Sequence, residues 1–261
     1  MRLLTLNVWE GRLKGKLIPF IAGSAKNTDI FCFQEILEIS AAQKARWRKT
    51  VKFGDSFAKG TAANGKIFSA ARGALKGFSP FLSEPYTDGN LRLATFVSRK
   101  ERVVSNEIHP LQVEHRQRAL GADLWTKPIL QHTRITKGGR QYNILNFHGL
   151  WVYKKWHSDT PERLEQSQAI IDFISGLKGR TILCGDFNLK PNTESLRMLE
   201  ESGLRNLVKE FGIKSTRPKE YWSKRDKFAD YILISKDVKV NTFRVLDAAV
   251  SDHLPLYLDF Q

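Results

Sequence analysis

The stretch that decides the fold is ILCGDFN, residues 182–188. A short unbroken apolar run (Ile182, Leu183, Cys184) reads as a strand covered on both faces. Gly185 then permits a tight backbone path. Asp186 and Asn188 follow, two positions apart, so an extended chain would send both side chains to one side. The segment thus reads as a buried strand that surfaces carrying an acid and an amide. A plain Asx turn gives the same local pattern, and only other segments decide between the two.

Those segments exist. Asn7 lies in LTLNVWEG, Glu35 in FCFQEI, His148 in LNFHGL, Asp230 in ADYIL, and Asp252 with His253 in SDHLP. Each sits where an apolar run ends or begins. A glutamate after FCFQ is costly in an interior unless a cation meets it. Gly149 after His148 leaves room for an anion beside the backbone. His253 needs a partner to set its tautomer, and Asp230 is the expected one. Taken singly, each has a bland reading: a rim glutamate, a core histidine, a structural Asp–His pair. Together, carboxylates, amides and imidazoles at matching strand ends point to one site handling a hard divalent cation and a phosphate.

The strand-like runs are Leu3–Val8, Ile30–Gln34, Leu93–Ser98, Tyr142–Phe147, Thr181–Cys184, Tyr231–Ile234 and Leu256–Phe260. Helical signals fall between them. Thr160 followed by Pro161 predicts an N-cap and first-turn proline; Leu164, Ile171 and Ile174 mark the apolar side up to Gly176. A second helix is predicted from Asn192 or Thr193 to Gly203, with Leu196 and Leu199 inward. A third is expected over Ser40–Val51. Alternating strands and helices argue for α/β layers. Proposed site residues run from Asn7 to His253, so residues 1–261 are expected to form one catalytic domain.

The chain has 261 residues and a formal net charge of +15. That excess points to a polyanionic partner, most simply DNA or RNA. No run reaches the length of a membrane span, and a strand-like run begins almost at Met1, where a secretory signal would lie. Cys32 and Cys184, each inside an apolar run, are expected to be buried free thiols. A cytoplasmic, monomeric protein is the expectation.

GDFN with SDH at this separation, and QE upstream, resembles the endonuclease/exonuclease/phosphatase superfamily across essentially the whole chain. The resemblance implies a four-layer α/β sandwich, with two central mixed β-sheets flanked by helices, and Mg²⁺-dependent cleavage of phosphoester bonds, Mn²⁺ being the natural substitute. By that resemblance Asn7 and Glu35 are metal residues, with Asn7 acting through water, and Asp252 a third metal contact. Asp186 positions water, Asn188 and His148 contact phosphate, and Asp230 and His253 form the Asp–His pair. FHGLW stands where abasic endonucleases of the exonuclease III type carry tyrosine followed by Pro-Asn-Gly, which argues against a close abasic-site enzyme.

Substrate-binding candidates flank these motifs. Trp151, Lys154, Lys155 and Trp156 interleave aromatic and cationic side chains just after His148, a pattern suited to stacking bases and pairing phosphates. Arg225 belongs to a second basic stretch, with Arg217, Lys219, Lys224 and Lys227, just before Asp230. A solvated charged face is the competing account of both. A nuclease is therefore the leading expectation. A phosphatase or phosphodiesterase acting on a phospholipid, inositol phosphate or nucleotide is the alternative, and a catalytically silent nucleic-acid-binding module the third.

Overall fold

The computed structural model describes residues 1–38, 66–87, 90–119, 122–221 and 227–261. The helix expected over 40–51, Trp47, Arg225 and part of the second basic stretch lie outside them.

Two six-stranded mixed sheets form the centre of the described chain. The first contains β1 (Arg2–Asn7), β2 (Ile30–Leu37), β3 (Phe78–Leu82), β4 (Leu91–Ser98), β13 (Val240–Val245) and β14 (Leu256–Phe260), in the order β13-β14-β1-β2-β4-β3. The second contains β5 (Arg102–Pro110), β8 (Ile129–Lys137), β9 (Arg140–His148), β10 (Arg180–Asp186), β11 (Leu204–Asn206) and β12 (Asp230–Ser235), in the order β11-β12-β10-β9-β8-β5. A separate hairpin pairs β6 (His115–Ala119) with β7 (Ala122–Thr126). Helices α1 (Lys14–Ser24) and α2 (Ile67–Ala74) cover the first sheet; α3 (Pro161–Ser175), α4 (Glu194–Glu201) and the short α5 (Leu207–Glu210) lie on the second. This is the expected four-layer α/β sandwich.

Strand alternation builds the layers. On β1, Leu4 and Leu6 face the α1/α2 side with Leu17, Ile21 and Ile67, while Leu3 joins Cys32, Ile144 and Cys184 in the larger core. Both cysteines are buried free thiols. A polar seam also crosses between the sheets. Gln34 Nε2 donates to Asn146 Oδ1 at 2.6 Å and Thr5 Oγ1 at 3.0 Å; Asn146 Nδ2 reaches the Phe33 and Ala94 carbonyls, both at 3.2 Å. Buried amides tolerate little slippage, because a lost partner leaves an unsatisfied polar group. The seam therefore holds β2 against β9 next to Glu35 and His148.

Three local readings are corrected. The apolar side predicted for α3 is rotated: its fully buried positions are Arg163, Gln166, Ser167 and Ile170, with Ile171 and Ile174 only partly buried. The Arg163 guanidinium donates to the carbonyls of Leu150 and Ser158, so this polar face holds a loop rather than packing on apolar neighbours. Gly185 does not make a turn after the strand. It lies inside β10 with φ +140°, and a Cβ there would sit 2.0 Å from the Phe147 carbonyl oxygen. Asn188 is not extended either, with φ +52°.

Candidate active site

Register gathers the chemical residues at one edge. Parallel β1 and β2 pair Asn7 with Gln34, next to Glu35. Parallel β9 and β10 pair His148 with Asp186, and antiparallel β12 places Asp230 opposite Asp186. The Ser251–Asp252–His253 segment precedes β14 and is tied back by Ser251 Oγ, which donates to the Asn7 carbonyl at 2.7 Å. Thr216 braces the same corner: its Oγ1 accepts from the Ala229 and Asp230 amides, and its carbonyl accepts from Leu254 N.

Glu35 does not end β2 as expected. It sits at a register shift between Phe33 and Ile36, with φ +54°. A bulge of this kind re-aims one side chain out of the pleat, and here it turns the carboxylate toward Asn7 and His148. Asn7 Nδ2 donates to Glu35 Oε1 at 3.0 Å and to Asp186 Oδ2 at 2.9 Å. Its Oδ1 accepts from the Trp9 amide at 2.9 Å. That backbone donor fixes the orientation of the Asn7 amide, so NH₂ faces the two carboxylates and the oxygen faces away. Any link from Asn7 to a cation is therefore indirect.

His148 Nε2 lies 3.3 Å from Glu35 Oε1 and 3.6 Å from Asp186 Oδ2. Burial works against its charge, but Glu35 and Asp186 outweigh that and raise its pKa. Burial likewise works against the Glu35 and Asp186 carboxylates; His148 for the first, and His253 with His148 for the second, hold both below their ordinary values. The Tyr86 ring packs against His148 with centroids 5.2 Å apart.

His253 Nδ1 lies 2.8 Å from Asp230 Oδ2, the pairing expected. Its Nε2 is 3.7 Å from Asp186 Oδ2 and 3.0 Å from Arg217 Nη2. Burial opposes the imidazolium; Asp230 and Asp252 overcome it and hold the pKa at about 9. Asp230, desolvated beside Asp186, is pushed up to about 6 despite His253.

Asp252 Oδ1 lies 3.7 Å from His253 Nε2, the nitrogen that also faces Asp186, and its Oδ2 accepts from Arg217 Nη2 at 2.6 Å. It belongs to neither of the carboxylate–imidazole trios at this edge, Glu35–His148–Asp186 and Asp186–Asp230–His253, whose ligand atoms lie within 4.8 Å of one another. In the first trio the two carboxylates supply the oxygen ligands that suit a hard divalent cation, with His148 beside them. Asn188 caps Asp186 through its backbone, N to Oδ1 at 2.8 Å, and its Nδ2 donates to the Gly149 carbonyl at 3.0 Å. GDFN forms an Asx turn, and its Asp186 lies 3.6 Å from His148 Nε2 and 3.7 Å from His253 Nε2.

Trp151 and Trp156 are 38% and 57% exposed on the loop after His148, with Lys154 and Lys155 also exposed. Gln117 of β6 clasps this loop, donating to the Trp151 carbonyl at 2.8 Å and accepting from Tyr153 N at 2.7 Å. Arg163 holds it from beneath. Trp9 is partly buried and meets Tyr221 edge-on at 5.2 Å. Sequence reasoning missed Tyr86, Gln117, Arg163 and Thr216, and read Arg217 only as part of a charged stretch. No local motif marks any of them.

Residues 4–253 match the model of the Endonuclease/Exonuclease/phosphatase family. The chain belongs to that family. It is accordingly a phosphoesterase of the hydrolase class, and divalent metals are the general cofactor of the endonuclease/exonuclease/phosphatase proteins. An endonuclease/exonuclease/phosphatase protein from Bacteroides vulgatus superposes with a TM-score of 0.71 at 16% identity, covering 100% of this chain and 98% of its own. A mannosyl-6-phosphatase from Bacteroides thetaiotaomicron gives 0.69 at 17% identity, covering 100% and 99%. The human Nocturnin catalytic domain gives 0.66 at 19% identity, covering 100% and 94%. At these identities the likeness is one of fold. No curated protein matched the chain. Among the described residues no helix is long and apolar enough to cross a membrane.

Proposed function

We propose that this chain is a Mg²⁺-dependent nuclease that hydrolyses phosphodiester bonds of DNA or RNA at the Asn7–Glu35–His148–Asp186–His253 edge. One observation carries the reading: two carboxylates, Glu35 and Asp186, are bridged by one amide and flanked by two imidazoles. Glu35 is the residue that would hold the cation, with Mn²⁺ as substitute; bound there, it supplies charge to offset that developing on the phosphate. Asp186 orients the attacking water and takes its proton. Its lowered pKa suits it to positioning more than to strong basicity. The His253 imidazolium, kept cationic by Asp230, neutralises the phosphate oxygens as the P–O bond to the leaving oxygen breaks. His148 and the remaining N–H of Asn188 Nδ2 complete the anion cradle.

Nucleic acid is favoured over smaller phosphoesters by the net charge of +15 and by Trp151 and Trp156, exposed beside Lys154 and Lys155. Arg225 is assigned to the same substrate face from the sequence pattern. A phosphatase or phosphodiesterase acting on a phospholipid, inositol phosphate or nucleotide would use the same edge. The proposal takes residues 1–261 as one catalytic domain working as a cytoplasmic monomer. The test is turnover with Mg²⁺ on plasmid, single-stranded DNA, RNA, lipid phosphate and sugar phosphate, with EDTA and Glu35→Gln controls. Cleavage of a polynucleotide, lost in both controls, supports the reading; turnover confined to small phosphoesters overturns it.

A further inference from the structure

A second cluster of ligand-type side chains lies away from this edge. On β5 and β8, Glu107 pairs directly with His132, and His109 is two residues further along the same face. Gln131, the neighbour of His132, points to the inter-sheet seam, where it accepts from Thr95 Oγ1 at 2.8 Å. His132 therefore faces the opposite, helix-covered side. There Phe173 of α3 packs against both rings, with centroids 4.5 Å from His109 and 5.6 Å from His132. One ligand atom from each of Glu107, His109 and His132 lies within 4.8 Å of the others.

The hydrogen bonds around the trio prepare it for a cation. Asn143 Nδ2 donates to the Lys178 carbonyl at 2.9 Å, which aims Asn143 Oδ1 at His132 Nε2, 3.0 Å away. An oxygen there requires the proton on Nε2, leaving Nδ1 with the lone pair. A ligating histidine is oriented in this way, by giving its other N–H to a carbonyl or carboxylate. His109 Nε2 is buried and makes no hydrogen bond among the described residues; Glu107 Oε2 stands 3.5 Å from it. That gap is too long for a good hydrogen bond, but close to the roughly 3.3 Å between ligands of a tetrahedral zinc ion. The other Glu107 oxygen accepts from Arg134 Nη2 at 2.7 Å, and Arg134 Nε donates to Ser105 Oγ at 2.7 Å. Arg134 thereby locks the carboxylate, and the Ser105 hydroxyl also bears on it.

We infer that Glu107, His109 and His132 form a second, structural cation site, selective for Zn²⁺-type transition ions over Mg²⁺. Two imidazoles and one carboxylate suit zinc, whereas Mg²⁺ demands oxygen ligands. The ion would clip edge strand β5 to β8 beneath α3, independently of the phosphoesterase chemistry.

The test is Zn²⁺ binding to the full chain in excess Mg²⁺, with a chromophoric chelator as competitor, alongside Co²⁺ absorption and thermal unfolding. The wild type is expected to bind one Zn²⁺ that Mg²⁺ does not displace and to gain thermal stability from it. Glu35→Gln should retain that ion. His109→Ala and Glu107→Gln should each lose at least tenfold in affinity, together with the Co²⁺ ligand-field bands, while melting like wild type in EDTA. Should His109→Ala fail to fold, Glu107→Gln at the more exposed position carries the comparison. Zn²⁺ affinity unchanged in the folded variants, or Zn²⁺ lost on Glu35→Gln alone, overturns the assignment.

Discussion

Asn7→Asp tests the wiring of the proposed site with almost no change in shape. Asn7 is fully buried. Its NH₂ group makes two charge-assisted hydrogen bonds, 3.0 Å to Glu35 and 2.9 Å to Asp186. Each such bond contributes about 1.5–3 kcal/mol. In Asn7→Asp both donors vanish and a third carboxylate faces the other two. Proton uptake by one of the three relieves part of the repulsion, so the net cost in EDTA is about 3 kcal/mol at pH 7. For a chain of this size about 1 kcal/mol moves Tm by about 2–4 °C, giving a fall of about 6–12 °C. Saturating Mg²⁺ or Mn²⁺ should then stabilise the variant more than wild type, because its site is more negative and binding to the folded state adds stability by mass action. Thermal unfolding followed by circular dichroism, with EDTA and with each ion, measures both effects. Equal Tm values in EDTA, or a gap that widens on adding Mg²⁺, would refute the bridging role of the amide.

Three further outcomes follow from the same geometry. Activity should fall below about pH 6, as Asp230 takes a proton, and above about pH 9, as His253 loses one; Asp230→Asn, by leaving burial less opposed, should move the alkaline limb downward. A pH–rate series on wild type and variant checks this, and an alkaline limb that stays in place contradicts it. Gly185→Ala should destabilise by on the order of 3 kcal/mol, because its Cβ would lie 2.0 Å from the Phe147 oxygen at φ +140°; urea unfolding reads this as a lower midpoint, and an unchanged midpoint refutes the close approach. Charge reversal at Lys154 and Lys155 should weaken polynucleotide binding and flatten its salt dependence, with hydrolysis of a small phosphodiester unchanged; binding that keeps its salt slope removes this loop from the substrate path.

What could be read locally was read well. Strand runs from Leu3 to Phe260, the Thr160 cap of α3 and the polar residues at strand ends all depend on neighbours within a few positions. The Asp230–His253 pairing follows from their places at strand starts and from the family resemblance, and the contact is present at 2.8 Å. Less legible were features set by distant partners. The bulge at Glu35 depends on the register of β2 against β4, and the requirement for Gly185 depends on β9 crossing within van der Waals reach. The burial of Arg163 could not be read locally, because the carbonyls that receive it, Leu150 and Ser158, belong to a loop without a periodic pattern. Arg217 is separated from Asp252 by 35 residues, and nothing in a charged stretch marks Arg217 as turning inward. The left-handed Asn188 shows the limit of period-2 reasoning: the strand stops at Asp186, and the alternation expected beyond it no longer applies.

Anomalous diffraction from crystals grown with Mn²⁺ would test the central claim most directly. The account predicts a strong peak at the Asp186–Glu35 edge, contacting the Glu35 carboxylate and absent from Glu35→Gln crystals. Mn²⁺ bound elsewhere, with the space beside Glu35 and Asp186 filled only by water, would contradict it.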